Sequence, residues 1–147
     1  MVGVSWDNAN EFCRWAGVRL PTPDEWEAAA RYPDGREYAW GNDARSGLER
    51  SEGRGGLDEY RDWARSVDVD PQPPTVLGLL HTCSNVQEYV AGVADDGAQA
   101  VCIKGRSFAD PPTINVSTIM SVSGRGTPSF DRGFRVVHRV QRKEKGQ

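Results

Sequence analysis

Every strong helix signal in this chain lies before residue 32, and that placement constrains the fold more than any other feature. Ser5 is placed to cap a first helix in which Trp6, Ala9, Phe12, Cys13 and Ala16 recur at helical spacing as one apolar stripe. Gly17 is the natural stop, because a residue without a Cβ enters the left-handed region at no steric cost. Shortly after, Thr22-Pro23-Asp24-Glu25 marks a second start. The Thr hydroxyl accepts from the amide three residues on and the Glu carboxylate returns to the Thr amide. Pro at the first helical position gives up an N–H that has no intrahelical partner there. The helix runs through Trp26 to Ala30 and must end near Arg31, since Pro33 and Gly35 come next.

Beyond the second helix the chain is poor in regular structure. From Tyr32 to about Pro74 it reads as loop, with turn chemistry at Ser51-Glu52-Gly53-Arg54-Gly55-Gly56 and a short helical insertion at Asp58 to Ala64. Pro71, Pro73 and Pro74 exclude a central strand there. Strand signals come late, at Asn85 to Val93, at Ala100 to Ile103 and at Phe134 to His138. In the last, Phe134, Val136 and His138 face one way and Arg135 and Val137 the other. The segment Ser123 to Arg132 reads as loop and Arg139 to Gln147 as a charged, frayed tail. This is a loop-rich α+β domain over 1–139, with two N-terminal helices and short antiparallel strands, and a tail over 140–147.

Composition removes several function classes. A chain of 147 residues makes one domain and hides about 70% of its extended surface, so it folds without a staple. A net charge of −3 gives no basic excess for nucleic acid, and no apolar run approaches the roughly 20 residues that span a bilayer. The opening Met1-Val2-Gly3-Val4-Ser5-Trp6 has neither part of a signal peptide. Cys13, Cys83 and Cys102 are an odd set without metal-type spacing. They fit a reducing, cytoplasmic compartment; an extracellular chain with one disulfide and a spare thiol is the alternative.

Several runs, in order, carry a resemblance. They are Val2 to Ala9, Gly17-Val18-Arg19-Leu20-Pro21-Thr22 with Glu25-Trp26-Glu27-Ala28-Ala29, Tyr38-Ala39-Trp40-Gly41-Asn42, Asn85-Val86-Gln87-Glu88-Tyr89, Lys104-Gly105-Arg106-Ser107-Phe108 and Gly133-Phe134-Arg135-Val136-Val137. Together they resemble the sulfatase-modifying-factor family, whose best-known member is the formylglycine-generating enzyme. The resemblance implies a variant of the C-type lectin fold with little regular secondary structure. Family domains begin well upstream of the Ser5-Trp6 helix, so the resemblance also implies a front that is missing here, or that a partner chain or upstream domain covers.

The resemblance further implies an oxidase whose two cysteine thiolates bind Cu(I), placed after a Gly-Gly-Ser-aromatic motif. Here the motif is Gly105-Arg106-Ser107-Phe108, and the thiolate positions fall on Asp110 and Asn115. Hard oxygen donors do not hold a soft Cu(I) ion, so no copper and no catalytic residue are expected. A structural Ca²⁺ is implied at the Asn-Val-x-Glu run, where Asn85, the carbonyl of Val86 and Glu88 supply oxygens of the kind a hard cation takes. The competing reading is a capped turn entering a strand, with Glu88 paired to an arginine. His81 and His138 read as a packed or surface imidazole, His138 on an apolar strand face.

The expectation is then a non-catalytic recognition domain that presents Ser107, Asp110, Asn115, Arg125, Asp131 and Arg132 to a protein or small polar ligand, from loops anchored by strands. Similar domains serve as retroelement variable proteins and as modules of bacterial kinases and caspase-like proteases. The alternatives are a formylglycine-generating oxidoreductase acting on a peptide cysteine, and a structural subunit of a larger assembly.

Overall fold

Both helix starts form on the local chemistry written into them. In a computed structural model that describes residues 1–38, 40–42, 74–83, 85–93, 100–107, 110 and 120–138, helix α1 spans Trp6–Ala16 and α2 spans Pro23–Ala30. The Ser5 hydroxyl accepts from the Asn8 amide at 3.1 Å, and Asn8 Oδ1 accepts from the Ser5 amide at 3.2 Å. This is a capping box with Asn in the place usually held by Glu or Gln. Gly17 closes α1 at φ 68°. In α2 the Glu25 amide donates to Thr22 Oγ1 at 3.2 Å and the Thr22 amide to Glu25 Oε2 at 2.9 Å.

Four strands come later in the chain: β1 over Gln87–Val93, β2 over Ala100–Lys104, β3 over Met120–Ser123 and β4 over Arg132–Phe134. They form one sheet in the order β3-β2-β1-β4. β2 runs antiparallel to both β1 and β3, whereas β4 lies parallel to β1 with Gln87 opposite Arg132 and Tyr89 opposite Phe134. The expectation of purely antiparallel strands is corrected at that edge.

Side-chain alternation then assigns the two helices to opposite faces of the sheet. Tyr89, Val101 and Ile103 pack with Ala9, Cys13 and Leu20 on the α1 face. Val90 packs with Trp26, Ala30, Tyr38 and Cys83 on the α2 face, with Cys102 against them. Glu88 and Lys104 share that α2 face, since Glu88 bonds to Trp26 and Lys104 to Glu27.

Other differences from the expectations have physical reasons. The first strand starts at Gln87 because Asn85 sits at φ 72°, outside extended backbone. The last strand occupies Arg132–Phe134 rather than Phe134 to His138, because the pairing with β1 ends at Phe134. Beyond it, among the described residues, Val137 alone pairs, with Arg19, and Val136 and His138 are exposed, so residues 135–138 form no apolar strand face. Strand β3 had no counterpart among the expected elements. In α1 the stripe is narrower than its spacing suggests: Ala9 and Cys13 are buried, while Phe12 and Ala16 are exposed. The expected insertion at Asp58 to Ala64 and the tail over 140–147 lie outside the described residues. Among the described residues no helix is long and apolar enough to cross a membrane.

Candidate functional site

The candidate loops are organised by Gln87, the first residue of β1, which is almost fully buried. Its side-chain amide donates to both oxygens of Asp110, at 3.0 and 2.8 Å. The Ser107 amide donates to Asp110 Oδ2 at 2.6 Å, and the Asp110 amide returns to the Ser107 carbonyl at 3.2 Å. Ser107 and Asp110 are thus bonded to each other, and the Asp110 carboxylate is spent on holding them to the sheet. The Gln87 amide also donates to the Asp131 carbonyl at 2.8 Å. One residue thus fastens Asp110, and through it Ser107, in the candidate loop 107–115 and Asp131 in the candidate loop 123–132.

Asp131 accepts from the Ser129 hydroxyl and lies 3.8 Å from Arg132 Nε. Arg132 sits beside the Tyr89 phenol, whose pKa burial raises and the neighbouring guanidinium partly offsets. Arg125 is committed elsewhere. Its Nε donates to Asp7 at 2.8 Å and its guanidinium lies 4.5 Å over the Trp6 ring, clasping the loop to the start of α1. The structure thus joins Ser107, Asp110 and Asp131 through Gln87, sets Arg132 beside them at the start of β4, and places Arg125 on α1. Asn115 lies outside the described residues.

Gly133 matters to this corner. A Cβ there would sit 2.7 Å from the Met1 carbonyl oxygen and 3.3 Å from Val86, so only glycine lets β4 pass between them.

At the expected calcium position, Asn85 is buried in a left-handed turn and Val86 is half-buried beside it. Glu88 points to the α2 face, where Oε2 accepts from Trp26 Nε1 at 2.6 Å and Oε1 from Arg135 Nη2 at 2.6 Å. Arg135 Nε also donates to Glu88, and its Nη2 to the Leu80 carbonyl at 3.1 Å. The competing arrangement, Glu88 paired with an arginine, is present. Among the described residues no three His, Cys, Asp or Glu side chains gather as a metal cluster. A calcium ion here would need six or more oxygens and would have to compete with Arg135 for its one carboxylate.

The copper position fits no better. Asp110 offers carboxylate oxygens already engaged by Gln87 and Ser107, where a soft ion needs thiolate. The actual thiols sit elsewhere: Cys13 in the core under α1, where burial pushes its pKa up, and Cys83 and Cys102 in the cluster under α2.

Reading the sequence alone missed Gln87 and the buried Lys104 of the α2 face with its partner Glu27. There Lys104, with no side-chain exposure, bonds to Glu27 at 2.7 Å, and Glu27 also pairs with Arg31. Those bonds, Lys104 first, hold the Glu27 carboxyl below its usual range. The available signal was a polar residue at a position that alternation makes inward, namely Gln87 in step with Tyr89 and Lys104 in step with Cys102.

Residues 1–140 match the Sulfatase-modifying factor enzyme 1-like domain. The chain is 36% identical over 153 aligned residues to the Formylglycine-generating enzyme of Mycobacterium tuberculosis, an alignment covering 95% of this chain and 50% of that protein. It is 35% identical over 117 residues to the Inactive C-alpha-formylglycine-generating enzyme 2 of Mus musculus, covering 75% of this chain and 38% of that protein. The chain therefore spans half or less of the length of these relatives. PvdO from Pseudomonas aeruginosa superposes with a TM-score of 0.72 at 19% identity, over 92% of this chain and 60% of that one, which shows a shared fold.

Proposed function

The chain belongs to the sulfatase-modifying factor family, and from that premise we propose that it is a non-catalytic recognition domain, presenting loops 107–115 and 123–132 to a protein or small polar ligand. One observation carries the reading. At the position that the family resemblance assigns to the first copper-binding thiolate stands the Asp110 carboxylate, with both oxygens tied to Gln87 and one to the Ser107 amide. Chemistry that depends on a soft thiolate has no donor there. What remains is a carboxylate and its Ser107 neighbour pinned to the start of β1, a construction suited to holding a polar surface in a fixed shape. Similarity to a mouse protein named as inactive supports this reading, and similarity to a mycobacterial protein named as an enzyme supplies the rival, a formylglycine-generating oxidoreductase.

The two readings separate in one experiment. The purified chain is loaded with Cu(I) and incubated in air with a sulfatase-type peptide containing a single cysteine. The peptide thiol stays unchanged by mass spectrometry under our reading. Conversion to the aldehyde above a copper-only control restores the oxidoreductase.

A further inference from the structure

We draw no further inference here: the strongest candidate, the apolar surface patch that Val76, Leu77 and Leu80 expose on the turn preceding β1, carries nothing because nothing among the described residues shows what covers it.

Discussion

The two faces of the sheet are stabilised by different physics. Under α1, Ala9, Cys13, Leu20, Tyr89, Val101 and Ile103 form a largely apolar core that carries the Tyr89 phenol and the Cys13 thiol. Under α2, Trp26 and Val90 share their face with Glu88, Lys104, Glu27 and Arg135, linked in pairs. The first face depends mainly on apolar area, and charge enters it at the rim, where Arg132 lies beside the Tyr89 phenol. The second depends on every buried charge keeping its partner, because an ionised group without one carries its full desolvation cost. The contrast teaches that neighbouring helices on one sheet can differ in what unfolds them.

Replacing Trp26 strikes the α2 face hardest. The ring is 2% exposed, and its loss also removes an indole donor from Glu88. Trp26→Ala should cost about 3–5 kcal/mol, a large part of the stability of a domain this size. Trimming Ile103 to Val on the other face should cost about 0.5–1.5 kcal/mol. Equal shifts in denaturation midpoint would dissolve the contrast.

Arg135→Met leaves the Glu88 carboxylate with a neutral indole in place of a guanidinium. The side chains are only 23% and 9% exposed, so the expected loss is about 2–3 kcal/mol. Glu88→Gln in the same background should recover part of it by removing the unpaired charge. A double variant no more stable than Arg135→Met would show that packing, not charge, sets the cost.

Acid should act through α2. Arg19, with the Thr22 cap, pulls the Glu25 pKa from an ordinary 4.5 down to about 2, and Lys104 lowers that of Glu27. A carboxyl whose pKa is depressed by folding contributes stability that is complete above the unfolded value and is lost as pH falls through the folded one. The midpoint should therefore fall between pH 4.5 and about 2, and Glu25→Gln should flatten that slope. An unchanged slope would mean that the Arg19–Glu25 pair carries none of the acid sensitivity.

The smallest expected effect concerns calcium. With Glu88 held by Arg135, melting curves in calcium and in chelator should coincide. A rise of several degrees in calcium, roughly what 2–3 kcal/mol of linked binding gives, would reinstate Asn85, Val86 and Glu88 as ligands.

The helices were legible because their signals are local. Ser5, Gly17, Thr22 and Glu25 act within one turn, and the structure uses all four as their chemistry predicts. The edge of the sheet was less legible. Alternation from Phe134 to His138 looks like a strand, yet β4 stops where its partner β1 stops facing it, and that is a property of residues more than forty positions away. The candidate loops were half legible: Asp110 was recognisable as an oxygen donor, but its partner Gln87 was not, since a side-chain hydrogen bond across 23 positions leaves no pattern in sequence. The same limit hid Glu27–Lys104, which spans 77 positions.

The parallel strand β4 has a consequence for how the molecule is made. Val4 bridges to Ser129, Arg19 to Val137, and Gln87 to the Arg132 register, so the C-terminal segment fastens the N-terminal segment, the loop after α1 and β1. A ribosome delivers these partners in the least convenient order. Both helices emerge early and must wait, with Trp26 and Leu20 uncovered, until β1 and β2 leave the exit tunnel, and the clasp of residues 129–137 closes later still. Contacts this distant in sequence slow closure and lengthen the interval in which apolar surface can meet the wrong chain. Synthesis speed over the last third of the chain, rather than the stability of either helix, should then set the yield of folded protein.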